Sequence, residues 1–199
     1  DIWFLIIFIW HKKIVEVVHD KKRPYIFVTN HISYLDSAMI PKAYRQPIRP
    51  LGKVEMSKVP VFGFIYKNAI VTVDRSSAAN RANSIRLLKS IINKGISVLV
   101  FPEGTFNMGT TPLKEFYDGA FRLAIETQTP IKPVLYLDAY RRMPYESLFK
   151  MTPGRNRILY LDEISVERYT VADMDKLKEE VYAIMEKKLI EYNAGWRKA

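Results

Sequence analysis

The chain has 199 residues, enough for one domain with a sizeable core, and its 48% hydrophobic and 26% charged residues are ordinary for a globular protein. It has no cysteine, which excludes disulfides, cysteine nucleophiles, thiolate metal sites and iron–sulfur clusters, and its three histidines argue against a multi-histidine metal centre. The net charge of +10 favours anionic partners such as nucleic acid, anionic lipid or a phosphorylated substrate. We find no recognition-helix pattern and no aromatic residues interleaved with arginine, so nucleic acid is not expected as a partner.

The N-terminal segment is strongly apolar and is followed by two lysines. The apolar run is shorter than the ~20 residues that a spanning helix needs, and its positive charge follows it, unlike that of a signal peptide. We predict a helix over 2–19 and expect residues 1–20 to form a membrane-associated N-terminal helix. Three interpretations stay open: the end of a longer membrane helix, an interfacial anchor with Trp3 and Trp10 at headgroup depth, or a helix packed on the domain's own core.

Beyond this segment, strand and helix patterns alternate along residues 21–199. Strands are predicted at 25–30, 48–54, 69–74, 96–101 and 131–137, with an edge strand at 157–161. Helices are predicted at 33–44, 56–66, 78–93, 115–127 and 173–192. Because several strands are apolar throughout, we expect a single α/β domain with a largely buried mixed sheet flanked by helices.

Charged residues follow three of the predicted strands: His31, Asp74 with Arg75, and Glu103 with Gly104. Ligands of α/β folds bind at the carboxyl ends of strands, so we expect the three groups to converge on one site. Arg75 could bind a phosphate through two parallel hydrogen bonds or form a surface salt bridge. Glu103 could contact a ligand or accept hydrogen bonds from loop amides.

His31 lies on a predicted strand-to-helix turn, five residues before Asp36. A side chain in the first turn of a helix points back toward the N-terminus, so the Asp36 carboxylate can reach the His31 ring. A carboxylate on one imidazole nitrogen fixes the tautomer and leaves the other nitrogen free to take a proton. The alternative is structural: Asp36 and Ser33, as N3 acid and N-cap, cap the helix, and His31 satisfies a turn.

Four sequence blocks occur in order within residues 24–137. They are Asn30-His31 through Asp36, Gly52-Lys53 through Val73-Asp74-Arg75, Phe101 to Thr105, and Pro130 to Val134, with a further segment at Phe116 to Phe121. Together they resemble the PlsC-type glycerolipid acyltransferases, typified by 1-acyl-glycerol-3-phosphate acyltransferase. One such block is weakly specific, whereas four in order at family-like spacing are strongly specific.

The resemblance implies an O-acyltransferase in which His31 is the general base on the hydroxyl of a lysophospholipid and Asp36 orients the imidazole. The donor would be acyl-CoA or acyl carrier protein, used as a co-substrate, with no cofactor and no metal. The acceptor would be 1-acyl-glycerol 3-phosphate, giving phosphatidic acid. The predicted substrate-binding residues are Asp74, Arg75, Glu103, Gly104, Thr105 and Lys114.

The chain departs from the family pattern at three positions near the acceptor phosphate. Many members have arginine where this chain has Phe106, and lysines where it has Tyr117 and Asp118. Lys114 and Arg122 could compensate. Otherwise the acceptor would be a lyso-aminolipid, another lysophospholipid or glycerol 3-phosphate. A non-catalytic peripheral lipid-binding protein is a further alternative, against which the intact His31, Asp36 and Glu103 argue.

A lipid acceptor and a basic surface together predict a membrane location. A Lys or Arg near an anionic leaflet contributes ~1 kcal/mol of attraction. We therefore expect the protein at the cytoplasmic face of the inner or cell membrane, with an anionic membrane surface as a partner.

Overall fold

The computed structural model describes residues 4, 7–18, 20–53, 69–73, 77–147 and 149–197. The strands are β1 (Ile9–Val15), β2 (Ile26–Thr29), β3 (Ile48–Lys53), β4 (Val71–Val73), β5 (Ser97–Val100), β6 (Ile131–Tyr136) and β7 (Gly154–Tyr160). The helices are α1 (Leu35–Ala43), α2 (Ala78–Asn93), α3 (Gly119–Thr127), α4 (Ala139–Arg142) and α5 (Met174–Glu191), the last preceded by a 3-10 turn at Val171–Asp173.

The strands form one mixed sheet in the order β1-β7-β6-β2-β5-β3-β4. All neighbouring pairs are parallel except β6 and β7, which run antiparallel. Every residue of β2, β5 and β6 is buried, which explains why these strands are mostly apolar, with Thr29, Ser97 and Lys132 as buried exceptions. The predicted single α/β domain with a buried mixed sheet is confirmed.

Apolar side chains alternate between the two faces of the sheet, as the two-residue period of a strand requires. Ile26 and Val28 of β2 pack in the cluster that contains the apolar sides of α2, α3 and α5. Phe27 between them packs on the opposite face, in the cluster that contains Leu35 and Met39 of α1. The core therefore has two layers, with α1 on one face of the sheet and the longer helices on the other.

The N-terminal helix predicted over 2–19 is wrong for the residues that form β1. This strand pairs in parallel with β7 along its whole length, from Ile9 opposite Gly154 to Val15 opposite Tyr160. Ile9 is buried and Trp10 exposed, which is the alternation of a strand rather than a helix. The residues of β7 that pair with β1 lie about 145 positions later in the sequence. The sequence around β1 therefore gives no sign of the pairing that makes it a strand. No helix in the described ranges is long and apolar enough to cross a bilayer.

β7 is not the edge strand that was predicted at 157–161. It begins earlier, at Gly154, and lies between β1 and β6, so β1 takes the edge position. The short helix α4 was not predicted, and α3 begins at Gly119 rather than at residue 115. The helix predicted at 56–66 lies outside the described residues.

Helix α2 has the predicted bounds because both of its ends carry local signals. The Ser77 hydroxyl accepts a hydrogen bond of 3.1 Å from the Asn80 amide, which satisfies one free donor of the first turn. Gly95, at a φ of +75°, ends the segment after Lys94, in a conformation that glycine adopts without strain.

Candidate active site

Asn30 fixes the backbone where β2 ends, one residue before His31. Its side-chain amide donates to the Tyr136 carbonyl at 3.1 Å, and its oxygen accepts from the Tyr136 amide at 2.8 Å. The side chain therefore replaces a pair of ladder hydrogen bonds and ties the turn to β6. The sequence predicts no separate role for Asn30 beyond its sequence block, because its hydrogen-bond partner lies 106 positions away.

The predicted hydrogen bond between His31 and Asp36 is confirmed. His31 Nδ1 lies 2.9 Å from Asp36 Oδ2, and the same oxygen accepts from the backbone amides of Ile32 at 2.7 Å and Ser33 at 2.8 Å. Asp36 is fully buried, whereas 17% of the His31 side chain is exposed. The carboxylate favours the tautomer with the proton on Nδ1, so the lone pair of Nε2 is available to a substrate proton.

Ser33 is not the N-cap of α1, as was predicted, because the helix begins two residues later at Leu35. The Ser33 hydroxyl accepts from the Leu35 amide at 3.0 Å and donates to the Met143 carbonyl at 2.5 Å. The Asp36 carboxylate accepts from the Ser33 amide, but Ser33 lies outside the helix and this bond is not part of a capping box. The hydroxyl is thus committed to binding the turn to the segment after α4 and is not a free nucleophile.

Glu103 reaches the same turn from the end of β5. Its Oε1 accepts from the His31 amide at 2.7 Å, and its Oε2 accepts from the Lys114 amide at 2.8 Å. The side chain is fully buried, and this burial raises its pKa to about 8 although the two amide bonds lower it. Glu103 therefore has the geometry of an acceptor for loop amides, which is one of the two roles that the sequence leaves open.

Further predicted residues lie on the loop that follows Glu103. Gly104 adopts a φ of +70°, and its amide donates to the Phe101 carbonyl at 3.1 Å. The Lys114 ammonium donates to the Thr105 hydroxyl at 2.9 Å. The loop is held against the catalytic turn by the Asn107 amide, which donates to the His31 carbonyl at 2.8 Å. Lys114 therefore brings a positive charge to the loop that contacts His31.

Aromatic rings enclose the His31 imidazole. Phe101 stacks on it with ring centroids 4.1 Å apart, and Phe106 meets it edge-on at 4.4 Å. Tyr34 packs in turn on Phe106 at 4.8 Å. Phe106 thus places an apolar ring where the family resemblance leads one to expect arginine. Phe101 and Tyr34 were not predicted as site residues, because ring contacts of this kind depend on how two loops meet.

The predicted convergence of three strand ends holds for the two that the structure describes, His31 and Glu103. Asp74 and Arg75 lie outside the described residues. Arg122, one of the two cations expected to compensate near the phosphate, pairs with Glu126 at 2.8 Å on α3. Among the residues described, no group of three His, Asp or Glu side chains could hold a metal ion.

The fold and the site define a class of protein. A buried carboxylate behind a partly exposed imidazole, at the carboxyl edge of an α/β sheet, is an arrangement suited to general-base chemistry. The acyltransferase family model matches residues 11–137, more than half of the chain. The chain therefore belongs to the acyltransferase family, of the PlsC type that the sequence blocks indicated.

Individual relatives agree with this assignment. The chain is 30% identical over 164 residues to 1-acyl-sn-glycerol-3-phosphate acyltransferase alpha of Mus musculus, covering 80% of this chain and 56% of the relative. It is 29% identical over 168 residues to the 1-acyl-sn-glycerol-3-phosphate acyltransferase of Haemophilus influenzae, covering 83% and 68%. It is 29% identical over 182 residues to an uncharacterized acyltransferase of Schizosaccharomyces pombe, covering 88% and 64%. The chain thus spans between 56% and 68% of the length of these relatives.

The fold is also that of a solved acyltransferase. The crystal structure of the 1-acyl-sn-glycerophosphate (LPA) acyltransferase, PlsC, from Thermotoga maritima superposes with a TM-score of 0.71. The match covers 94% of this chain and 75% of that chain at 23% sequence identity.

Proposed function

We propose that the protein transfers a fatty acyl group from a thioester donor, acyl-CoA or acyl carrier protein, to the free hydroxyl of a lysophospholipid. The first acceptor to consider is 1-acyl-glycerol 3-phosphate, which would give phosphatidic acid. The observation that carries the proposal is the hydrogen bond between His31 and the buried Asp36 in a chain of the acyltransferase family. The choice of acceptor is supported by two of the relatives, both of which are named 1-acyl-sn-glycerol-3-phosphate acyltransferases.

The reaction would begin with proton transfer. His31 Nε2 takes the proton of the acceptor hydroxyl while Asp36 stabilises the imidazolium that forms. The acceptor oxygen attacks the thioester carbonyl, and the tetrahedral intermediate breaks its carbon–sulfur bond. His31 then returns the proton to the departing thiolate, so the base is regenerated without an acyl-enzyme. Proton transfer by a positioned base contributes ~10²–10⁴-fold to the rate.

Other residues would position the dyad or bind the acceptor. Glu103 acts as a positioning residue, because it holds the backbone of His31 and that of the following loop at the same time. Lys114 with Thr105 offers a cation and a hydroxyl near His31 for the acceptor phosphate. From the sequence blocks we also assign Arg75 and its neighbour Asp74 to the binding of this phosphate. We assign Gly104 to the same site as a residue whose backbone the acceptor can approach closely.

A second acceptor class is favoured by the position of Phe106. This ring packs edge-on against His31, where an arginine would have paired with a phosphate. An acceptor with a less anionic headgroup, such as a lyso-aminolipid, would lose less binding energy when phenylalanine stands in the place of arginine. Phe106→Arg should therefore raise kcat/KM for 1-acyl-glycerol 3-phosphate relative to a lyso-aminolipid. An unchanged ratio in a folded variant would remove Phe106 as a determinant of the acceptor.

We further propose that the protein docks on an anionic membrane at the edge of the sheet that contains His31. Exposed apolar side chains lie there: Phe149 is 92% exposed, Phe8 71% and Trp10 58%. Phe8 adjoins β7 through its carbonyl, which accepts from the Gly154 amide at 2.8 Å. Exposed aromatic rings beside basic residues are typical of interfacial binding.

The docking surface has a direct test. Sedimentation with vesicles containing anionic phospholipid should carry down the wild-type protein, and Phe149→Ser should weaken this binding without changing thermal unfolding. Vesicles of zwitterionic lipid alone are the control. Equal sedimentation of the wild type and Phe149→Ser would exclude this residue from the docking surface.

The proposed reaction is tested by thiol release. Purified protein is mixed with acyl-CoA or acyl carrier protein and with a panel of acceptors: 1-acyl-glycerol 3-phosphate, other lysophospholipids, glycerol 3-phosphate and a lyso-aminolipid. We expect acceptor-dependent thiol release and a diacyl product with at least one of them. No release with any donor and acceptor pair would favour the non-catalytic lipid-binding alternative.

A further inference from the structure

Four arginine side chains meet at the edge of the sheet that contains His31. Strand β7 runs antiparallel to β6, so its first residues lie at the edge where β6 ends beside the catalytic turn. Helix α4 follows β6 at this edge, and the Met143 carbonyl after it accepts from the Ser33 hydroxyl. The arginines line a cavity of about 350 Å³ and are Arg141 and Arg142 of α4 and Arg155 and Arg157 of β7. We call this cavity the arginine pocket.

The pocket has an excess of positive charge. Among the described residues that line it, Asp138 is the only acid. Its carboxylate accepts hydrogen bonds of 2.7 and 2.8 Å from the Arg157 guanidinium, and Arg141 Nη1 lies 3.5 Å from it. Burial alone would raise the pKa of Asp138, but the bonds from Arg157 lower this pKa, so the carboxylate is ionised at neutral pH. Four guanidinium groups against one carboxylate leave three positive charges without a counter-charge in the lining.

Two of the guanidinium groups are held in place by the chain that follows α5. Arg141 donates to the Asn193 carbonyl at 2.9 Å, and Arg157 donates to the Tyr192 carbonyl at 3.0 Å. These bonds satisfy carbonyls at the end of α5, which is a structural role. A guanidinium has five N–H donors, so each group keeps at least one donor for an anion in the pocket. Because both groups are already ordered, an anion that binds them costs little further side-chain entropy.

The other two guanidinium groups make fewer bonds. The Arg142 guanidinium lies against the backbone of Gly154, where any Cβ atom would collide with it, and it donates to the Pro153 carbonyl. Its Nε is buried and donates to none of the described residues. Arg155 is exposed, and no hydrogen bond or ion pair joins its side chain to the described part of the chain. Both groups are therefore available to an anion.

The chemistry of the lining suits a small group with more than one negative charge. Every side chain in the lining is charged or polar, so the pocket suits a headgroup and not an acyl chain. Guanidinium groups bind phosphate oxygens through pairs of parallel hydrogen bonds. A phosphomonoester carries a charge of about −1.5 to −2 and three acceptor oxygens at neutral pH, whereas a phosphodiester carries a single charge. The excess of positive charge therefore favours a phosphomonoester.

Exposed aromatic side chains adjoin the pocket. Trp10 of β1 lies opposite Arg155 in the register of β1 and β7, and the Phe8 carbonyl accepts from the Gly154 amide. Phe149 lies in the segment between α4 and β7. All three rings are more than half exposed, and they form the docking surface proposed above. A phosphate that enters the pocket while these rings are inserted in a membrane belongs to a lipid.

We propose that the arginine pocket binds the phosphomonoester headgroup of a membrane lipid and thereby orients the edge of the sheet that contains His31 toward the bilayer. The inference rests on the proposed docking surface and names the lipid group that this surface recognises. The lipid in the pocket is separate from the acceptor, whose phosphate we assign to the loop that carries Lys114. That loop follows β5, whereas the pocket lies at the ends of β6 and β7, on the other side of β2.

Arg155→Gln tests the pocket, and Lys150→Gln is the matched control. Each substitution removes one positive charge from an exposed side chain at this edge, but only Arg155 lines the pocket. The variants are sedimented with phosphatidylcholine vesicles that contain either phosphatidic acid, a phosphomonoester, or phosphatidylglycerol, a phosphodiester, at the same surface charge. We expect the wild type to bind the phosphatidic acid vesicles about 10-fold more tightly, which is the typical contribution of a hydrogen bond between charged groups.

The two variants should differ in this preference. Arg155→Gln should reduce the ratio of the two affinities to about twofold or less, because it removes a guanidinium that binds the phosphomonoester. Lys150→Gln should weaken binding to both kinds of vesicle by up to about fivefold and leave the ratio unchanged. Both variants should keep the wild-type thermal unfolding, since Arg155 has no hydrogen-bond or ion-pair partner among the described residues.

The outcomes distinguish the pocket from the other proposals. An equal ratio in the wild type and in Arg155→Gln would overturn the pocket and leave the docking surface, which Phe149→Ser tests. Coenzyme A also carries a phosphomonoester, so its affinity for the wild type and for Arg155→Gln is measured by calorimetry. A loss of coenzyme A affinity in Arg155→Gln with unchanged vesicle binding would overturn the lipid as the ligand and assign the pocket to the acyl donor. None of these measurements depends on acyl transfer, which thiol release tests.

Discussion

Asp36→Asn separates the charge of the dyad from its shape. The amide has nearly the same size as the carboxylate. With its oxygen in the place of Oδ2, it can still accept from His31 Nδ1 and from the amides of Ile32 and Ser33. Its NH₂ group then takes the place of Oδ1, where no described residue competes. The geometry can therefore survive while the negative charge is lost.

The size of the effect follows from the charge that develops on His31. In the transition state the imidazole carries a positive charge beside the carboxylate, and two unit charges ~4 Å apart at an effective dielectric constant of ~20 attract by ~4 kcal/mol. Loss of ~4 kcal/mol slows a reaction by ~10³-fold. In the ground state the imidazole is neutral, so the loss should appear in kcat rather than in KM.

Thiol release by the purified proteins measures this effect. We expect kcat of Asp36→Asn to fall by ~10³-fold, with KM changed by less than about threefold and the free energy of unfolding changed by less than ~2 kcal/mol. Asp162→Asn, at an exposed acid outside the site, should match the wild type. A folded Asp36→Asn that keeps more than a tenth of the wild-type kcat would refute the role given to the carboxylate.

Three further changes probe the scaffold of the site. Burial raises the pKa of Glu103 in the folded protein to about 8, against an ordinary 4.5, so the unfolded chain loses this proton at lower pH than the folded chain. In thermal unfolding, the stability of the wild type should therefore fall relative to that of Glu103→Gln as pH rises from 5 to 8. A relative gain in wild-type stability would contradict the effect of burial on this pKa. Asn30→Ala removes both hydrogen bonds to the Tyr136 backbone and should destabilise the protein by ~2–3 kcal/mol in urea unfolding. A change below ~0.5 kcal/mol would show that these two hydrogen bonds contribute little to stability. Gly104→Ala should lower the free energy of unfolding by ~1–2 kcal/mol because residue 104 has a positive φ. Gly119→Ala, with open space around the added carbon, should leave the free energy of unfolding unchanged. Equal effects of the two substitutions would contradict the argument from backbone strain.

Much of the sheet could be predicted because its signals are local. β2, β5 and β6 are short, mostly apolar and bounded by polar or helix-breaking residues, so their burial on both faces could be predicted from composition alone. The sequence predicts a helix in place of β1, because its pattern of apolar and basic residues fits several structures. Its identity is decided by pairing with β7, which no short window of sequence contains.

The active site likewise contains contacts that local sequence predicts and contacts that depend on distant residues. His31 and Asp36 are five residues apart, and the direction of side chains in a first helical turn was enough to predict their hydrogen bond. The role of Glu103 depends on two backbone amides, one of them 72 positions away, so the sequence alone does not choose between its two interpretations. Asn30 and Tyr136 show the same limit, because a side chain that replaces a sheet hydrogen bond looks like any polar residue in a turn.

Thiol release by wild-type protein and by His31→Ala tests the central claim most directly. With a thioester donor and a lysophospholipid acceptor, we expect the wild type to release thiol and form the diacyl product. His31→Ala should keep the wild-type thermal unfolding and lose at least ~10²-fold in kcat, the lower bound for a positioned general base. Comparable turnover by a folded His31→Ala would contradict the assignment of His31 as the base.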